Sequence, residues 1–290
     1  MDQIVNASIS IVFDGLAYAM VLFIVSVGLS VTMGLMGFVN LAHGAFAMAG
    51  GYVMVGLMNG VGVSFPVALI SAFFGVGIVS MAFERVLYAR LYAAAELEQV
   101  LLTIGLVFMA IAVATILFGP APKPVILPPY LEGQIDLGFR SFPAYRVFMI
   151  VVGALLIIFL WIAFERTRIG AQIQAAVDNR AMAQSVGIDV DRLFTLTFAF
   201  GSGLAALGGG LSVDIVGLDP QYALKYLVYF LIVVAVGGLG SVKGAFFAAL
   251  VLGILDNAGK YLFPEIGAFL IYLVTFLVLL WRPQGLFGRM

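Results

Sequence analysis

Nine stretches of about 20 residues, at 9–33, 41–60, 65–87, 98–118, 147–164, 193–213, 223–240, 244–262 and 266–281, are nearly free of charge. As a helix, each is close to the length needed to cross the roughly 30 Å hydrocarbon core of a bilayer. Inside that core a backbone amide finds no water, so a spanning segment must close its hydrogen bonds within itself. The expected fold is an all-α polytopic membrane protein. One transmembrane domain over residues 1–290 would hold about 8–10 spanning helices, some of them broken by glycine. Composition agrees, with 63% hydrophobic and only 10% charged residues, against about 25% charged in soluble domains.

The charges that remain set orientation and exclude several functions. Arg85 and Arg90 follow the third span, Arg166, Arg168 and Arg180 the fifth, and Arg282 and Arg289 the last. Basic residues near span ends mark the cytoplasmic side, so the C-terminus is expected inside and, for an odd number of spans, the N-terminus outside. The tetrapeptide AFER closes both the third span and the fifth, as two helices running in one direction would require. The long loop 119–146 then lies outside, although Lys123, Arg140 and Arg146 run against a strict count. Its five prolines between Pro120 and Pro129 favour a stiff extended chain. The first ten residues lack the basic flank and cleavage site of a signal peptide, so the first helix is expected to be retained. A net charge of -1 offers no surface for nucleic acid, and the absence of cysteine excludes disulfides and thiolate metal sites.

Between the fifth and sixth spans the chain turns polar. Glu165 to Arg192 carries Glu165, Arg166, Arg168, Asp178, Arg180, Asp189, Asp191 and Arg192, so it belongs in water or against another protein. Its alanines favour a helix, and Gly187 followed by Ile188 and Asp189 is a stop signal. It is either a passive connector or a docking element. Two glycine-rich breaks accompany it. Residues 34–46, GLMGFVNLAHGAF, contain Asn40 and the only histidine, His43. They form either a turn or an unwound element within the bundle. For His43 a packed, hydrogen-bonded role is favoured over substrate contact, and a metal site would need further ligands. Residues 237–244, GGLGSVKG, do not fit the phosphate-binding loop pattern, because no Ser or Thr follows Lys243.

Asp14 reads as the most membrane-buried acid. Asp214, Asp219 and Lys225, and likewise Asp256, Lys260 and Glu265, gather at outer span ends, where solvated positions or a docking or admission role would account for them. Helix middles offer Ser26, Thr32, Thr103, Thr115 and Ser202 instead of ionisable groups. That suits a neutral or zwitterionic cargo better than the buried charges of an ion-coupled secondary transporter. One histidine and scattered carboxylates do not assemble an intramembrane enzyme.

Four motifs together, GLMGFVNLAHGAF (34–46), TRIGAQIQAAVDNRAMAQSVGIDVDR (167–192), GGLGSVKGA (237–245) and RPQGLFG (282–288), give the chain its resemblance to LivH-type permeases of bacterial branched-chain amino acid ABC importers. The resemblance covers essentially the whole length. It implies a bacterial inner-membrane permease, without a nucleotide site of its own, that carries cargo delivered by a periplasmic binding protein. Two ATP-binding subunits would supply the work, with ATP and magnesium held there, and a second permease, identical or different, would complete the channel. The segment 165–192 would be a cytoplasmic coupling helix, with Thr167, Gly170, Ala176, Asp178, Ala181, Ala183, Gly187 and Ile188 on its pattern, while Gln174 stands where an arginine commonly precedes Ala175, leaving that charge contact absent or supplied by Arg168 or Arg180. Asn40, His43, Thr103 and Ser202 would lie near the translocation path. Branched-chain amino acids are the implied cargo, with urea, short amides or aromatic acids as the alternatives served by similar permeases.

Overall fold

The computed structural model describes residues 2–37, 39–92, 94–136 and 141–288, with side chains from Ala7 onward. Arg140 and Arg289, two of the residues weighed for orientation, lie outside them. The elements are α1 (Asp2–Met36), α2 (His43–Gly56), α3 (Phe65–Val86), α4 (Glu96–Phe118), β1 (Gln134–Asp136), β2 (Ser141–Pro143), α5 (Ala144–Arg166), α6 (Arg168–Asp178), α7 (Arg180–Ser185), α8 (Val190–Val216), α9 (Tyr222–Gly237), α10 (Val242–Leu262) and α11 (Gly267–Trp281). α2 runs on into a π-helical turn, Leu57–Val61, and Tyr88–Leu91 is a 3-10 turn. Seven helices are long and apolar enough to cross a bilayer, and α9 and α11 are shorter apolar helices. The expected spans and these nine helices coincide to within a few residues, α1 excepted, which extends seven residues further at its N-terminal end.

The helices alternate in direction, which separates two ends of the bundle. At one end lie α6, α7, the α1–α2 turn and the α9–α10 turn. At the other, residues 119–136 fold over the bundle, where Lys123 donates its amide to the Leu218 carbonyl and Asn59 donates to the Pro124 carbonyl. The proline-rich part of this loop forms no helix or strand, and beyond it β1 and β2 pair antiparallel, with Ile135 opposite Phe142. Among the described residues these two strands are the one sheet in an otherwise helical chain.

The centre is α1, whose residues from Ala19 to Leu29 are almost wholly buried, with α8 beside it. Small residues let the backbones touch. A Cβ added at Gly209 of α8 would collide with the Ala47 carbonyl of α2, and one at Gly50 with the Ala206 backbone. At the α1–α8 crossing, a Cβ on Gly201 would lie 2.8 Å from the Gly28 carbonyl oxygen. Between lipid-embedded helices this close approach supplies the dispersion contacts that association depends on, since lipid tails are as apolar as the side chains they would release. By contrast α4, α5 and α11 present open apolar faces, including Ile116, Leu155 and Phe276.

Gly209→Val should therefore overpack the α2–α8 contact and cost about 1–3 kcal/mol or more. Gly105→Ala, on a face where an added Cβ meets nothing within 4 Å, should leave stability unchanged. Thermal unfolding of the detergent-purified pair of variants checks this.

Candidate functional site

The polar segment is not one helix but two. α6 starts on Thr167, whose Oγ1 accepts the Gly170 amide at 3.2 Å. It stops at Asn179, which turns extended, and the Asn179 side chain accepts the Met182 amide at 2.9 Å to cap α7. An asparagine able to cap the following turn competes with continued helix, which explains why one expected rod is a pair. α7 ends where Gly187 adopts φ +89, and the Ile188 amide returns to the Ala183 carbonyl at 3.1 Å, the stop expected there. Asp189 then caps α8 by accepting the Arg192 amide at 3.0 Å.

The candidate coupling residues divide by face. Gly170, Ala176 and Ala183 are buried and Ile188 is half-buried; Ala176 and Ala183 pack with Leu35, Val190, Leu193 and Phe194 in a small core beneath the bundle. At Gly170 any Cβ would strike the Phe164 backbone. These residues fasten the segment to the membrane helices. Asp178, Arg180, Ala181 and Gly187 face outward. Beside them, and missed by the sequence reading, are Ile169, Val177, Met182 and Val186, which are 42–70% exposed. The stretch 165–192 holds seven large apolar side chains, and only packing shows that Ile173, Ile188 and Val190 turn inward while these four do not. A water-facing helix pair that fixes its small residues inward and its apolar ones outward has a surface suited to a partner protein.

Fixed charges brace the segment. Arg180 pairs with Asp191 at 2.8 Å and lies 4.8 Å from the centre of the Phe194 ring. Close by, Glu84 at the end of α3 is 3% exposed, and its two carboxylate oxygens accept from Tyr92 at 2.6 Å and Thr195 at 2.7 Å. Burial, reinforced by the bond to Glu84, pushes the Tyr92 phenol far up, so Tyr92 remains a donor at any physiological pH. Lys243 of the glycine-rich turn pairs with Glu165 at 2.5 Å. That turn is a connection between helices: Gly238 and Gly240 take positive φ, and Ser241 caps α10 by accepting the Gly244 amide.

The α1–α2 stretch is likewise a turn. Asn40 Oδ1 accepts the Ala42 amide and the Tyr88 hydroxyl, both at 3.1 Å, and His43 Nε2 meets the Val25 carbonyl at 2.9 Å. Asn40, His43, Thr103 and Ser202 are each at most 1% exposed. Asn40 and His43 are brought together. Thr103 bonds the Val100 carbonyl of its own helix, and no hydrogen bond among the described residues joins it to the other three.

At the opposite end the charges need correction. Asp14 is about one-third exposed and paired with Arg146, so it is not the most buried acid. Glu84 and Asp256 are, at 3% and 1% exposure. Asp256 sits two turns inside α10, below the solvated end where it was expected, and bonds Lys260 at 2.6 Å one turn further on.

Comparison with known proteins completes the picture. Residues 11–279 match the family model described as branched-chain amino acid transport system / permease component. The chain is 27% identical over 292 residues to the high-affinity branched-chain amino acid transport system permease protein LivH of Escherichia coli (strain K12), covering 96% of this chain and 94% of the relative. It is 28% identical over 294 residues to BraD of Pseudomonas aeruginosa, covering 95% and 94%. Among solved structures it shares its fold with a chain of PsaBC from Streptococcus pneumoniae in complex with Fab, at TM-score 0.50 and 17% identity over 92% of this chain and 88% of that one. The arrangement is that of a multi-pass transmembrane permease subunit, a transporter component and not an enzyme. The chain belongs to the branched-chain amino acid transport permease family of ABC transporters.

Asn179→Ala should remove the α7 cap at a cost of about 1 kcal/mol. Amides of α7 are expected to exchange about fivefold faster, with α8 unaffected; hydrogen exchange read by mass spectrometry checks it.

Proposed function

We propose that the chain is the translocating subunit of an importer in which α6 and α7 receive the motion of ATP-binding subunits. The observation that carries the reading is the two-faced segment: small residues lock it to α1, α5 and α8, and Ile169, Val177, Met182 and Val186 stand in water. Such a surface is stable in water only when covered, and the inward packing lets force on it reach the membrane helices without the segment peeling away. On this reading the end bearing α6 and α7 is cytoplasmic, with the C-terminus, and the loop 119–143 faces the periplasm of a bacterial inner membrane. ATP and magnesium are then held by the partners.

The open apolar faces of α4, α5 and α11 belong to lipid and to a second permease, either another copy or a different chain. Buried as they are, Asn40 and His43 serve this reading as the pin of the α1–α2 turn, and any part they take in passage follows a change of packing. Cargo arrives from a periplasmic binding protein. Branched-chain amino acids are the cargo best supported by the family match and by the names of its relatives.

Val177→Glu, Met182→Glu and Val186→Glu together should leave membrane insertion and the elution profile of the purified chain unchanged. Co-purification of ATP-binding subunits and ATP-driven uptake of L-leucine should both be lost; retention of both would rule out docking at this face.

A further inference from the structure

At the end of the bundle away from α6 and α7, a cavity of about 560 Å³ opens between α1, α5, α8, α9, α10 and α11, with the Asp14–Arg146 pair in its wall, within the range of small-molecule sites. Its wall is aromatic. Tyr226 lies 6.3 Å from Tyr229, and Tyr229 6.3 Å from Tyr272, ring centre to ring centre, while Tyr18 faces them from α1. Set into this wall is Asp256, 1% exposed, with Oδ2 on Lys260 at 2.6 Å and Oδ1 without a hydrogen-bond partner. A buried carboxylate oxygen left unpaired is expensive, and such groups call for a ligand that supplies the donor. Cations stand close: Lys260 is 5.7 Å from the Tyr18 ring centre and Lys225 is 5.1 Å from that of Tyr226.

We propose that this vestibule is a binding site for a small molecule carrying a primary ammonium group together with a carboxylate, an α-amino acid zwitterion. The ammonium donates to Asp256 Oδ1 and lies against the tyrosine faces, which attract cations. The carboxylate accepts from Lys260, whose ammonium has donors to spare beyond the one on Asp256, and from Lys225. Ile215 and Val216 line the same cavity and give an aliphatic side chain an apolar seat. A simple carboxylate brings no donor to Asp256 Oδ1, and a sugar or an amide brings only a neutral O–H or N–H donor, weaker than a charge-assisted one, so the site discriminates by charge and not by size alone. The inference rests on reading the chain as a permease, and it places a cargo site within one protomer, at the mouth of the path.

Isothermal titration calorimetry of the full-length, detergent-purified chain tests it with four probes: L-leucine, isoamylamine, isocaproate and fructose. Leucine is expected to bind, isoamylamine more weakly, and the other two not at all. Asp256→Asn should weaken leucine and isoamylamine by about tenfold or more, whereas Lys260→Met should weaken leucine by that factor and spare isoamylamine. The Lys260 side chain is 48% exposed, so this second variant keeps the test decisive if Asp256→Asn fails to fold. Absence of leucine binding to the unaltered chain, or equal loss of leucine and isoamylamine in Lys260→Met, overturns the site. Either result alongside intact ATP-driven uptake sinks the vestibule alone, and loss of partner-dependent uptake by the unaltered chain sinks the permease reading instead.

Discussion

Backbone-to-backbone contact across glycine and alanine is the constraint on which the structure depends. Lipid offers apolar side chains no gain in leaving it, so helices here are held by how closely they pack. α1 meets α10 through Gly15, Ala19 and Gly253, meets α8 through Gly28 and Gly201, and approaches the α9–α10 turn through Gly34. One central helix thus contacts two others and a turn along its length, each at a position where an added Cβ would strike backbone. Such contacts fix relative height and angle more tightly than interdigitated leucines do, because no rotamer change relieves a backbone clash.

The same device operates at the water-facing end, with a different result. Gly170 sits against the Phe164 backbone, and Ala176 and Ala183 are buried beside Leu35. Close docking leaves the outward positions free to carry Val177 and Met182, which contribute nothing to the chain's own core. The buried Glu84 strengthens the link by accepting from Tyr92 and from Thr195 of α8. Removing either donor would strand part of a carboxylate, so this corner of the bundle tolerates little independent movement of α3 and α8.

Most of this architecture was legible in the sequence because lipid allows so few solutions. Uncharged runs of about 20 residues must be helices, and their ends are set by Gly238, Gly187 and the prolines of 119–129. What could not be read was burial within the bundle. Asp256 and Asp14 look alike in sequence, each near the end of an apolar run, and only packing shows that α1, α9 and α11 enclose the first while Arg146 holds the second at the surface. The division of α6 from α7 was hidden for a similar reason. Asn179 is tolerable inside a polar helix, and its choice to cap depends on a bond to Met182 that competes locally with one more turn. Asn40 and His43 were expected near the translocation path, and their hydrogen-bond partners, Tyr88 and Val25, lie too far off in sequence to have been read from it.

One element joins the two ends. α8 begins at the Asp189 cap, beside α7, and its 27 residues extend about 40 Å at 1.5 Å per residue. Its last turns supply Ile215 and Val216 to the vestibule; there the Val216 carbonyl accepts from Tyr226 at 2.8 Å, and Ser212 bonds Tyr222 at 2.7 Å. Six consecutive residues near its middle, Gly201 to Ala206, are buried against neighbouring helices, so it cannot bend freely there. A tilt of α8 imposed where Thr195 meets Glu84 would therefore carry through to its far end, where Val216 accepts from Tyr226. The glycine crossing with α1, where Gly201 and Gly28 bring the two backbones together beside Thr32, is what would let α8 act as a rigid rod instead of a hinge.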